Sequence, residues 1–177
     1  MIYTWRYQSP IGGITLAGSM EALTGLWFDG QKYFGAALPE RCEQKSLSIF
    51  DDTTHWLDIY FLGNIPYFKP PLFFYTTPFR HTVWDILLSI PYGHTMTYGE
   101  IADMVAKQNG LSKMSAQAVG GAVGHNPISI IVPCHRVVGT TGSLTGYAGG
   151  IDKKIKLLAL EKTDMQNLFV PKKGTAL

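Results

Sequence analysis

Cys134 lies between a proline and a histidine in Ile131-Val132-Pro133-Cys134-His135-Arg136-Val137. A thiol is the most nucleophilic side chain available near neutral pH, even when only a few per cent is ionised. By residue type alone, a cysteine is more often a small buried hydrophobe. Three features favour chemistry here. Residues 128–132 read as a short buried strand. Pro133 cannot continue a central ladder and ends it, so Cys134 falls at a strand-to-loop exit. His135 and Arg136 then set polar and cationic groups beside the sulfur, an arrangement that can favour thiolate. Consecutive residues of an extended backbone point apart, so a direct Cys134–His135 hydrogen bond is awkward.

The elements that must carry this segment divide at about residue 76. In residues 1–76, the runs 2–7, 13–18 and 22–28 predict antiparallel strands separated by turn residues. Residues 52–62 predict a short helix capped by Asp52 or Thr53. In residues 77–177, Thr77-Pro78 opens a helix that Pro91-Tyr92-Gly93 stops. Thr97-Tyr98-Gly99-Glu100 is a capping box, starting a helix that ends at Asn109-Gly110. A further helix over 115–124 completes a helix-turn-helix pattern. Ala116, Ala118, Gly120, Gly121, Ala122 and Gly124 make that helix slender, although each interior glycine costs about 1 kcal/mol relative to alanine. Close packing on another protein helix is one reason for such thinness; close approach to nucleic acid is the other. A last helix is predicted over 152–162, with Leu157 and Leu158 one turn before Glu161. Asn126, before Pro127, reads as a turn residue.

Composition narrows the classes. A 177-residue chain with 46% hydrophobic residues can bury a core. The longest apolar runs are far shorter than a bilayer span, so no membrane partner is expected. Cys42 and Cys134 make neither a disulfide framework nor a zinc site, so no metal is expected, and a reducing, cytoplasmic setting fits best. The net charge is +2, and the basic excess lies in residues 78–177, which suits phosphate contact modestly. The glycines of 142–150 lack the phosphate-loop lysine pattern, which excludes that mode of nucleotide binding.

The heptapeptide around Cys134 resembles the active-site motif of the O6-alkylguanine-DNA alkyltransferases. The resemblance continues in order through Thr77-Pro78-Phe79, Thr97-Tyr98-Gly99-Glu100-Ile101-Ala102, Ala118-Val119-Gly120-Gly121-Ala122, Asn126-Pro127-Ile128, Gly146-Tyr147-Ala148-Gly149-Gly150 and Leu157-Leu158-Ala159-Leu160-Glu161. It implies an α/β chain: a small ribonuclease H-like N-terminal sheet with a helix, then a mostly helical domain with a winged helix-turn-helix. It implies direct reversal of damage in duplex DNA, by one irreversible transfer from extruded O6-alkylguanine to Cys134, by a monomer and without a cofactor. O4-alkylthymine is a further candidate substrate. By the same resemblance, His135 is the base acting through water, Glu161 orients it, and Asn126 ties the helix-turn-helix to the active-site segment. Tyr98, Gln117, Ala118, Gly121 and Arg136 are then the DNA-contacting set, with Tyr98 helping to rotate the nucleotide. Tyr98, Val132, Pro133, Tyr147 and Ala148 line the base pocket. The chain departs from the family at Gln117, where an arginine is usual; glutamine lacks its charge and stacking plane. Two other readings stay open: a non-catalytic DNA-binding relative, against which Cys134 argues, and an unrelated cysteine hydrolase, for which no oxyanion hole is specified.

Overall fold

Short aromatic and β-branched runs between turns build the first sheet. The computed structural model describes residues 1–36 and 38–172. Strands β1 (Tyr3–Ser9), β2 (Gly12–Gly18) and β3 (Leu23–Phe28) pair antiparallel in sequence. The two-residue β4 (Glu43–Gln44) adds parallel to β1, giving the order β3-β2-β1-β4. Helix α1 (Ser48–Phe61) packs on this sheet. It begins earlier than the predicted 52–62, because its buried stripe already includes Ile49 and Phe50. Neither proposed cap serves: Leu47 precedes the helix without a side-chain cap, and the buried Thr53 hydroxyl donates to Ile49 O at 2.7 Å inside it.

The chain forms two compact units. The first comprises Met1–Tyr75 together with Pro127–Ile131. That short second stretch is where the strand expectation for 128–132 fails. Ile128 makes an isolated parallel bridge to Leu26, and the residues that follow are turns. Ile130 has φ +70°, and Ile131 N donates to Ser129 O at 2.8 Å across it. This is a three-residue γ-turn of the rare positive-φ kind, which reverses the chain and ends any ladder.

The second unit comprises Thr76–Asn126 and the chain from Val132 onward. Local sequence rules operate closely here. Thr77 Oγ1 accepts from Arg80 N at the start of α2 (Pro78–Leu88), with proline in the first turn. The capping box at α3 (Tyr98–Gln108) is reciprocal: Thr97 Oγ1 accepts from Glu100 N, and the Glu100 carboxylate accepts from Thr97 N. Ser115 caps α4 (Ala116–Gly124). These three helices pack together, and Trp84 Nε1 donates to Ala122 O at 2.9 Å. A small parallel ladder pairs β5 (Met96–Thr97) with β6 (Val137–Val138), strands too short to show alternation in the sequence. Helix α5 (Ile151–Leu160) places Glu161 at its C-cap. The chain is thus a mixed α/β protein with a small N-terminal sheet and a mostly helical C-terminal part.

Candidate active site

Cys134 opens a one-turn 3-10 helix, Cys134–Arg136, rather than ending a strand. Pro133, at φ −83° and ψ 62°, bends the chain so that Cys134 N donates to Val132 O at 2.8 Å. That is the common inverse γ-turn. The Asn126 side-chain amide reaches the same place. It donates to Val132 O at 2.8 Å and to Cys134 Sγ at 3.1 Å. Asn126 therefore binds the end of the helix-turn-helix segment to both the turn and the nucleophile.

His135 is completely buried, and its Nε2 meets Glu161 Oε1 at 2.7 Å. Glu161 is saturated with donors. Arg136 Nη2 donates to Oε1 at 3.0 Å and Arg136 Nε to Oε2 at 2.8 Å. Gly93 N donates to Oε2 at 3.1 Å. A carboxylate at a helix C-terminus is disfavoured by the macrodipole, and these donors offset that. Gly93 has φ +76°, and a Cβ there would lie 2.9 Å from Glu161 O, so glycine is needed for the approach. Burial alone would raise the Glu161 carboxyl, but His135 and Arg136 outweigh it and hold it well below the usual carboxylate range. Burial pushes His135 down, against the pull of Glu161. The pair is a neutral imidazole on an ionised carboxylate.

Arg136, expected among the DNA-contacting residues, lies within this ion pair: it is 9% exposed, and Nη1 is also spent on Ile90 O at 2.6 Å. The neighbours of Cys134 do not make it a resting thiolate. Burial pushes the thiol up, and the Asn126 amide and the Lys154 charge oppose that only in part. Lys154 is the residue the sequence reading missed. It is fully buried on α5, and its Nζ donates to Val137 O at 2.6 Å and Thr145 O at 2.9 Å. Burial lowers its pKa to about 8. The signal was present, since positions 154, 157, 158 and 161 share one helical stripe.

The remaining residues fall around this cluster. Val132, Pro133 and Tyr147 are buried, and the Tyr147 ring stands edge-on to His135 with centroids 6.4 Å apart. Ala148 is half-buried. The Tyr98 hydroxyl points to the carbonyls of Thr145 and Gly146, 3.4 Å from each. It faces the loop beside the pocket, so a phosphate contact would require it to leave these carbonyls. Burial and the neighbouring Cys134 push its pKa up to about 12. On α4, Gln117, Ala118 and Gly121 are exposed, separate from the buried Val119, Ala122 and Val123. A Cβ at Gly121 would meet nothing within 4 Å, and one at Gly120 only the Tyr98 ring at 3.9 Å. Packing on another helix therefore does not explain the glycines at 120 and 121, whereas Ala122 and Gly124 are buried on the face that packs within the unit. Among the described residues, no His/Cys/Asp/Glu group could hold a metal, and no helix is long and apolar enough to cross a membrane.

This arrangement can activate a thiol against an electrophilic carbon, and known proteins share its frame. Residues 1–72 match the ribonuclease-like domain of 6-O-methylguanine DNA methyltransferase, and residues 78–163 match its DNA-binding domain. The methylated-DNA–protein-cysteine methyltransferase of Mycobacterium tuberculosis is 45% identical over 164 residues, covering 92% of this chain and 94% of that protein. The Methanosarcina acetivorans protein of the same name is 45% identical, covering 90% and 98%. The crystal structure of Mycobacterium tuberculosis O6-methylguanine methyltransferase superposes with a TM-score of 0.77 at 44% identity, covering 92% of this chain and 93% of that one. The Mycobacterium tuberculosis OGT in complex with DNA gives 0.76 at 43% identity, covering 91% and 92%. With both domain models matched and identity this high over nine-tenths of its length, the chain belongs to the 6-O-methylguanine DNA methyltransferase family.

Proposed function

We propose that the protein repairs DNA by direct reversal, moving the alkyl group of O6-alkylguanine onto Cys134 Sγ. The observation that carries this reading is the buried relay itself, with Asn126 on the sulfur and His135, Glu161 and Arg136 bonded in series beside it. Burial keeps the resting thiol protonated, so its proton must leave as the sulfur attacks. His135 is the base. With Nε2–H donating to Glu161, the Nδ1 lone pair takes the proton through a bridging water. Glu161 holds that tautomer and stabilises the imidazolium that forms, and Arg136 keeps Glu161 ionised. The Asn126 amide and the Lys154 ammonium favour the developing thiolate. The sulfur–carbon bond forms as the carbon–O6 bond breaks. The electron pair stays on the base, which takes up a proton and becomes guanine. The thioether is not hydrolysed, so each molecule acts once, without a cofactor.

A stacked base hides its substituent, so the nucleotide is extruded into the pocket. The exposed face of α4, bearing Gln117, Ala118 and Gly121, is thin enough to enter the minor groove. Tyr147 covers the base, and backbone around Ala148 reads its edge. O4-alkylthymine presents the same alkyl–oxygen electrophile and is a second candidate. The protein acts as a monomer, in a reducing compartment that spares the thiol.

Incubation with duplex DNA labelled in the O6-methyl group tests this. One label per protein, mapped to Cys134, is expected. Cys134→Ala should take no label yet bind duplex DNA nearly as well, and Cys42→Ser should behave as wild type. Label on Cys42, or release of methanol with turnover, refutes the assignment.

A further inference from the structure

We propose that Gln31 and Ser129 are positioning residues for the transfer. They fasten the stretch leading into the nucleophile to the outer edge of β3, and so hold the reversed turn at Ile130. This rests on the reading of Cys134 as the alkyl acceptor.

Strand β3 ends the sheet, with β2 on one side. On its other side Leu26 N donates to Pro127 O at 2.8 Å, and Ser129 N donates to Leu26 O at 2.9 Å. Two main-chain bonds would hold a short segment only loosely. A side chain adds to them. Gln31 is 6% exposed, and its Oε1 accepts from Phe28 N at 2.9 Å and from the Ser129 hydroxyl at 3.1 Å. The end of β3 and the segment are thus joined through one amide oxygen. Ser129 is itself buried.

The next residue gives the fastening its purpose. Ile130 holds φ +70°, a region that β-branched residues avoid. Such a conformation persists only where its surroundings over-determine it. Here the residue before the reversal is fixed through its N–H, its hydroxyl and its carbonyl, the last accepting from Ile131 N. The chain then runs through Val132 to Cys134, and the Val132 carbonyl is held by Asn126 and by Cys134 N. With Ser129 released, Ile130 can relax toward negative φ, and the path to the sulfur shifts. A displacement on the order of 1 Å at a reacting atom can cost up to about a hundredfold in rate. A Ser129 and Gln31 pair that merely satisfied buried polar atoms would affect stability alone.

The test compares the full-length wild type with Ser129→Ala and Gln31→Leu, well below their melting temperatures. Three quantities are measured: the single-turnover rate on free O6-benzylguanine and on duplex O6-methylguanine, the duplex affinity, and amide exchange at Ile131 and Cys134. Both variants should transfer about tenfold more slowly or worse, by the same factor on both substrates. Duplex affinity should be unchanged, and the two amides should exchange faster. Ser129→Ala removes a single oxygen and keeps the test alive if Gln31→Leu fails to fold. Wild-type rates in a folded variant with a lowered Tm overturn the proposal. A wild type that transfers nothing overturns instead the reading of Cys134 as acceptor.

Discussion

At the scale of single residues, the site is a division of labour among neighbours with different fates. Cys134, His135 and Arg136 are consecutive, yet the 3-10 turn sends Arg136 back to Glu161. The motif made Cys134, His135 and Glu161 legible in the sequence. It could not show that Arg136 is an internal counter-ion, because that depends on where α5 ends. Glu161→Gln should slow transfer by roughly 10²-fold or more, since it removes the charge that supports general-base action. It also leaves a buried guanidinium without its partner, which costs about 3–5 kcal/mol of stability, so the rate must be read below the lowered melting point. Arg136→Lys separates the two roles considered for Arg136. As an internal counter-ion it should slow reaction with free O6-benzylguanine and with duplex alike, leaving the salt dependence of DNA binding unchanged. A shallower salt slope with a normal rate on the free base would return Arg136 to the DNA-contacting set.

At the scale of elements, legibility followed locality. Helices α2, α3 and α4 were readable because Thr77, Thr97 with Glu100, and Ser115 are caps whose partners lie within one turn. The 128–132 segment was not, because its apolar run hides a left-handed residue sustained by long-range bonds to Leu26 and Gln31. The two-residue strands β4, β5 and β6 carry no periodicity to detect. Helix α4 gives the sharpest element-level prediction. Gly121 is exposed, helical and open beyond its Cα, so the free protein gains nothing from the missing side chain. Gly121→Ala should therefore stabilise it by about 1 kcal/mol, the ordinary propensity difference. If α4 enters the groove, the added methyl should weaken duplex binding while the rate on free O6-benzylguanine stays constant. Unchanged or tighter duplex binding would mean that another face meets DNA.

At the scale of the whole molecule, the sequence suggested two successive domains, and nothing in it signalled that residues 127–131 join the first unit. That exchange is long-range and leaves no local pattern. Global stability is also where the buried charges of the site become measurable. Glu161 is depressed from 4.5, so its contribution is complete above that pH and is lost as the pH falls through the folded value. Lys154 has the opposite consequence. Its pKa falls from 10.5 unfolded to about 8 folded. Between those values the unfolded chain binds more protons, so Lys154 makes stability rise with pH across the window. Cys134 is raised from 9.0, and Tyr98 from 10.0 to about 12, so both work against that rise above their unfolded values. The wild-type curve mixes these effects, and a difference isolates one of them. Lys154→Met keeps the length of the side chain and removes the titration, together with the bonds to Val137 O and Thr145 O. Denaturant unfolding of both proteins at pH 7, 8.5 and 10 should show Lys154→Met comparing best with wild type at pH 7. It should lose ground steadily toward pH 10, by roughly 2–3 kcal/mol if the full fall from 10.5 to about 8 is realised. A pH-independent difference would mean that Lys154 keeps its proton throughout, held charged by the carbonyls it binds, and that its ammonium remains available to Cys134 at every pH where the protein folds.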